Sequence, residues 1–132
     1  RIARLAHLEE LVSRLPGQLD AEVYEGGVTL STGQRQLLAI ARAMSYDPKV
    51  LILDEATANI DSETEHLIQQ ALERLFQGRT TLVIAHRLST VRQADRILVL
   101  HNGRIVEHGT QEDLLSRRDF YYRLHQLQFA SP

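Results

Sequence analysis

Val50-Leu51-Ile52-Leu53 is apolar at every position and runs directly into Asp54-Glu55. A strand of that composition needs cover on both faces, as strands of parallel sheets in α/β domains have. Thr80 to Ala85 reads as a second strand of the same kind. Between the two, Ser62-x-x-Glu65 has the form of a capping box. It opens a helix with Leu67, Ile68, Ala71, Leu72, Leu75 and Phe76 on one stripe, and Gly78 ends it. This part of the chain is therefore held to a strand–helix–strand unit.

The rest is organised around that unit. Ile2, Leu5, Leu8, Leu11, Val12 and Leu15 predict one amphipathic helix over 2–15, ended by Pro16-Gly17. Residues 18–30 are polar, contain Gly26-Gly27 and read as loop. Gly33 to about Ser45 lacks breakers and favours helix until Asp47-Pro48. A short helix after Ser89 leads to a third strand, Ile97 to Leu100. Asn102-Gly103 makes a tight hairpin into Arg104–Glu107. Thr110-Gln111-Glu112-Asp113 caps a short helix, and 117–128 form a last amphipathic one. The expected fold class is α/β, a mostly parallel sheet flanked by helices with a C-terminal β-hairpin appended.

With 132 residues, 43% of them hydrophobic, the chain has the size of one domain with an ordinary core. A net charge of −2 supplies no global attraction to nucleic acid or anionic lipid. The absence of cysteine excludes disulfides and thiolate metal sites. Apolar runs reach about five residues, against the roughly twenty of a membrane span, and no signal-peptide pattern occurs. The chain reads as soluble, with any membrane role supplied by a partner or another segment.

The chemistry concentrates at strand ends, where open parallel sheets gather ligands. Asp54 and Glu55 follow the first core strand, and His86 in Val83-Ile84-Ala85-His86-Arg87 follows the second. A phosphoryl transfer with bound magnesium needs a carboxylate near the metal and a second group to orient water. Asp54, nearer the strand, suits the metal shell; Glu55 suits general base. His86 suits a hydrogen bond to a terminal phosphate oxygen. Leu30-Ser31-Thr32-Gly33-Gln34 adds a helix start, whose dipole and unpaired N–H groups favour an anion. Yet no Gly-x-x-x-x-Gly-Lys-Ser/Thr loop is present, and the one lysine, Lys49, sits in a turn before a strand. With Arg at residue 1, the chain is expected to be a piece of a larger domain.

Leu30-Ser31-Thr32-Gly33-Gln34-Arg35-Gln36 resembles the signature motif of ATP-binding cassette (ABC) proteins, usually Leu-Ser-Gly-Gly-Gln. Val50 to Thr57 is similar to their Walker B strand, Ala58-Asn59-Ile60-Asp61 to their D-loop, and His86 to their switch histidine. Glu22-Val23-Tyr24-Glu25-Gly26-Gly27 is similar to the segment that precedes the signature in exporters. The resemblance implies the C-terminal portion of an exporter-type nucleotide-binding domain. Residues 1–46 would belong to the helical subdomain and 47–132 to the catalytic core half. It implies ATP and Mg2+ as cofactors, and two domains dimerised head to tail. Ser31, Gly33 and Gln34 would contact the partner's nucleotide. Asp54, Glu55 and His86 would serve the nucleotide on this chain's own P-loop, with Ala58 and Asp61 communicating across the interface. It further implies contact with transmembrane coupling helices at the cytoplasmic face of the plasma (inner) membrane.

Two positions depart from the family pattern. Thr32 replaces a glycine, which in exporters accompanies a weakened site and favours a heterodimer over a homodimer. Tyr24 replaces a small residue in the coupling segment. The implied function is ATP hydrolysis powering export, with the isolated chain inactive. A soluble ABC-type ATPase and a non-catalytic dimerisation module are the alternatives. The Glu22–Gly27 segment and the lack of long heptads weigh against the first. His101 and His108 lack a third metal ligand nearby and read as a solvated hairpin. Phe120, Tyr121 and Tyr122 read as packing residues, and Arg117-Arg118 as a solvated helix start.

Overall fold

The computed structural model describes residues 1–23, 29–54, 60–85, 91–92 and 94–129. Tyr24 to Gly27, Glu55, Ala58, His86 and the start of the helix expected after Ser89 lie outside the described residues. The chain divides into two compact units, Arg1–Ile84 and Ala85–Pro132.

In the first unit, α1 (Ile2–Leu5) and α2 (Glu9–Arg14) replace the single helix expected over 2–15. The break is at His7, whose φ is 55°. Leu8 N–H reaches back to Ala3 O at 2.8 Å, the long closing bond of a helix that ends in a left-handed residue. Arg74 Nη1 donates to Leu5 O at 2.8 Å. The bend lets both Ala6 and Leu8 point inward, where they are buried. A periodicity of three and four residues is compatible with either arrangement; only the core below distinguishes them.

A 3₁₀ turn, Gln18–Asp20, precedes α3 (Thr32–Tyr46), which ends with Asp47 in the left-handed conformation just before Pro48. Then come β1 (Val50–Asp54), α4 (Ser62–Phe76) and β2 (Thr80–Ile84). β1 and β2 pair in parallel, Val50 opposite Thr80 and Asp54 opposite Ile84. Leu37, Ile40 and Ala41 of α3 meet Ile68, Ala71 and Leu75 of α4 over Leu51. Arg79 fastens the two helix-to-strand connections. Its guanidinium donates to Asp47 Oδ1 at 2.6 Å, to Pro48 O at 3.1 Å and to Leu75 O at 2.5 Å.

The cap of α4 is Asp61, one residue earlier than the Ser62 capping box expected from the sequence. Asp61 Oδ1 accepts Thr64 N–H at 2.8 Å. Aspartate is as good an N-cap as serine, and its charge suits the helix dipole. The cover of the strands also differs from expectation. Leu51 is buried and Leu53 half-buried against the helices, whereas Val50, Ile52, Leu82 and Ile84 on the other face are exposed.

In the second unit, β3 (Ile97–His101) and β4 (Arg104–Gly109) form an antiparallel hairpin. Asn102 and Gly103 both have positive φ, 49° and 73°, as a two-residue turn of this hand requires. α5 (Gln111–Arg117) carries a full capping box between Thr110 and Asp113. The last helix, α6 (Phe120–Phe129), begins three residues later than expected. Arg118, with φ 55°, ends α5 first, its N–H bonded to Leu115 O. Ile97, Val99, Leu114 and Tyr121 make this unit's core. Glu107 is buried and its Oε2 accepts Tyr121 N–H at 2.7 Å, so a carboxylate caps α6. The described strands thus form two separate two-stranded sheets, one parallel and one antiparallel, in an α/β fold.

Candidate functional site

The start of α3 carries the most chemistry. Ser31 is its N-cap: Ser31 Oγ accepts Gln34 N–H at 3.2 Å, and Gln34 Oε1 accepts Ser31 N–H at 2.9 Å. An α-helix leaves its first four N–H groups without intrahelical acceptors. The cap satisfies two of these, leaving the amides of Thr32 and Gly33 at the positive end of a 15-residue helix. Two convergent amides beside a serine hydroxyl can bind a phosphate oxygen. Gln34 is already committed to the cap through its carbonyl.

Arg35 completes the segment, and sequence reasoning had passed over it. Its Nη1 donates to Leu30 O at 2.6 Å and its Nη2 to Thr32 Oγ1 at 3.1 Å. The guanidinium therefore spans the turn that presents Ser31. Thr32 itself is exposed and has no positive φ, so its side chain costs the backbone nothing here. Its hydroxyl gives Arg35 an anchor that glycine could not.

Gly33 is buried against the start of α4. A Cβ at this position would overlap the Thr64 Cγ2 methyl and stand 3.4 Å from Ile60 Cγ2. The starts of α3 and α4 are thereby brought side by side, which puts Ser31, Gly33 and Gln34 near the helix that Asp61 caps. Asp54 is exposed at the C-terminal end of β1, opposite Ile84 of β2. Beyond these strand ends the chain passes into 55–59 and 86–90, so Glu55, Ala58 and His86 have no described geometry. No cluster of three metal-ligating side chains occurs among the described residues. Asp54 nonetheless fits a magnesium ion, which is usually held by one or two carboxylates together with substrate phosphates and water.

The sequence profile described as ABC transporter matches residues 3–58, from α1 through the whole signature and β1. The ATP-dependent lipid A-core flippase of Nitrosococcus oceani is 58% identical over 129 residues, 98% of this chain and 22% of that protein. That of Cupriavidus pinatubonensis is 54% identical over 131 residues, 99% of this chain and 22% of that protein. Among solved structures, a bacterial Atm1-family ABC exporter with ATP bound superposes with a TM-score of 0.82 at 42% identity. It covers 96% of this chain and 22% of that one. The chain belongs to the ABC transporter family. It spans about a fifth of the length of the relatives it matches. No described helix is long and apolar enough to cross a membrane.

Within this ABC chain, Asp61 makes a pH-dependent contribution. The Thr64 N–H and hydroxyl beside it hold its carboxyl below the usual carboxylate range. A depressed folded-state value means stabilisation that is present above the unfolded carboxyl's titration and lost as pH falls through the folded one. Acidifying from about pH 6 to about pH 3 should therefore lower the Tm of the native protein more than that of Asp61→Asn, which caps without titrating. Equal acid losses in the two proteins would remove Asp61 from the pH response.

Proposed function

We propose that this chain is part of the nucleotide-binding domain of an ABC exporter, and that in the intact protein it takes part in ATP binding and hydrolysis powering export across a membrane. The observation that carries this reading is the 58% identity to an ATP-dependent lipid A-core flippase over 98% of the chain. The flippase relatives also favour a lipid cargo. Residues 1–46 would belong to the helical subdomain and 47–132 to the catalytic core half. Partners would be a second nucleotide-binding domain and transmembrane coupling helices, at the cytoplasmic face of the inner membrane. Thr32, where glycine is usual, favours two unlike domains over two identical ones.

Each residue has a role its chemistry suits. Ser31 Oγ and the amides of Thr32 and Gly33 bind the terminal phosphate of a nucleotide held by the partner domain, with Gln34 alongside. Arg35 keeps the turn rigid. On the chain's own side Asp54 contributes a carboxylate to the magnesium shell, Glu55 takes the proton of the attacking water, and His86 hydrogen-bonds the terminal phosphate. Ala58 and Asp61 lie in the segment that would pass between domains. Bound ATP and Mg2+ supply the transferable phosphoryl group and charge neutralisation. With no lysine-bearing phosphate loop in its 132 residues, the chain alone should not hydrolyse ATP.

Ser31→Asp tests the phosphate contact apart from the helix cap. Aspartate caps about as well as serine, so stability should stay within about 0.5 kcal/mol of wild type. A carboxylate facing phosphate should cut ATP turnover of the intact protein by about tenfold or more. Unchanged turnover would take Ser31 out of nucleotide binding.

A further inference from the structure

We propose that Thr64 is a positioning residue: its methyl group seats the signature segment, and Gly33 is glycine because that methyl occupies the space of its side chain. The inference deepens the reading of Ser31–Gln34 as a nucleotide-contacting segment and rests on it for its functional half.

The argument starts with backbone conformation. Gly33 has no positive φ and lies inside the first turn of α3, where any L residue is sterically allowed. Helix propensity by itself favours alanine there. What forbids a side chain is the neighbour. A Cβ would overlap Thr64 Cγ2, stand 3.3 Å from Thr64 Cβ and stand 3.4 Å from Ile60 Cγ2.

Thr64 cannot easily turn away. Its N–H donates to Asp61 Oδ1 at 2.8 Å, which fixes its backbone at the start of α4. On a helix a β-branched side chain has few χ1 choices, so the methyl does not swing freely. It faces Gly33. One residue therefore touches the signature on one side and completes the α4 cap on the other. A displacement at Asp61 would be passed to the amides of Thr32 and Gly33 through a rigid contact.

Gly33→Ala, Thr64→Ser and their combination test this in the intact protein. Serine keeps the hydroxyl and the backbone N–H that Asp61 accepts, and removes only the methyl. Without nucleotide, Gly33→Ala should lower Tm on the order of 5 °C, as overpacking does, although propensity predicts a rise. The double variant should melt at or above Thr64→Ser alone. Should Gly33→Ala fail to fold, recovery of folded protein in the double variant is the same result. A double variant no more stable than Gly33→Ala would overturn the seat.

For ATP turnover, misplacing the amides should cost Gly33→Ala about tenfold to a hundredfold. The double variant should return to within about threefold of Thr64→Ser. Stability rescued without turnover would overturn the positioning role, leaving glycine required for the ligand itself. A coupled pair in a wild-type protein that hydrolyses no ATP would uphold the seat and reject the ATPase reading.

Discussion

Glu55→Gln in the intact protein should lower ATP turnover by about 10²–10⁴-fold, the usual contribution of a positioned general base. The amide keeps the shape and hydrogen-bonding reach of the carboxylate but cannot take a proton from water. Nucleotide binding should survive, because binding depends on groups that meet the phosphates and the metal rather than on the base. The loss should therefore fall on kcat, with KM for ATP little changed. Asp54 stands on a strand paired to its last residue, whereas Glu55 is the next residue along and its role rests on sequence order. Steady-state hydrolysis at the wild-type rate would show that Glu55 is not the base. A rise in KM with kcat unchanged would move it to binding.

The second large effect concerns what holds the site together. Leu75 is 1% exposed and packs with Leu37, Ile40, Ala71 and Leu51 where α3 and α4 meet over β1. Leu75→Ala should cost about 2–5 kcal/mol, transfer energy plus an incompletely collapsing cavity. Because α3 and α4 are held side by side by this core, the loss should also loosen the contact between Gly33 and Thr64. Leu82, 53% exposed on the open face of β2, is the control. Leu82→Ala should cost about 0.5 kcal/mol or less, as surface substitutions do. Chemical denaturation of the two variants measures both. Equal costs would mean the apolar face of α4 is not the core it is described as.

The contrast between these two leucines shows where sequence reading stops. β1 and β2 look alike in the sequence, apolar nearly throughout, and that pattern predicts two covered faces. Among the described residues Leu51 and Leu53 pack into the core with α3 and α4, whereas Val50, Ile52, Leu82 and Ile84 are exposed. Composition reports that a face can be buried; whether a layer lies on it depends on which other segments are present to pack there. The helix over 2–15 failed in the same way. Its periodicity was right, but burying Ala6 and Leu8 together required a left-handed residue at His7 that no spacing rule announces.

Local chemistry was far more legible. The α3 cap at Ser31, the Asn102-Gly103 turn, the Thr110 capping box and the stripe of α4 each depend on residues a few positions apart. Such interactions are already written in the sequence order. The family resemblance was legible for the same reason, since its motifs are short and contiguous.

Arg35 and Thr64 were not legible as site residues. Arg35 acts through a carbonyl five positions back and a hydroxyl three positions back, a geometry that exists only once α3 has formed. Thr64 lies thirty-one positions from Gly33 and meets it only because two helices pack through Leu37, Ile40, Ile68, Ala71 and Leu75.

The sequence by itself determined most of the helices and strands, the Thr110 cap, the Asn102-Gly103 turn, the chemical inventory of Ser31, Asp54, Glu55, Asp61 and His86, and the family. The tertiary structure decided that Gly33 faces a methyl group, that 2–15 bends at His7, and that Val50, Ile52, Leu82 and Ile84 are exposed while Leu51 is buried. Short-range hydrogen bonds and periodicity are properties of neighbouring residues. Close approach and exposure belong to segments that meet only after the chain has folded.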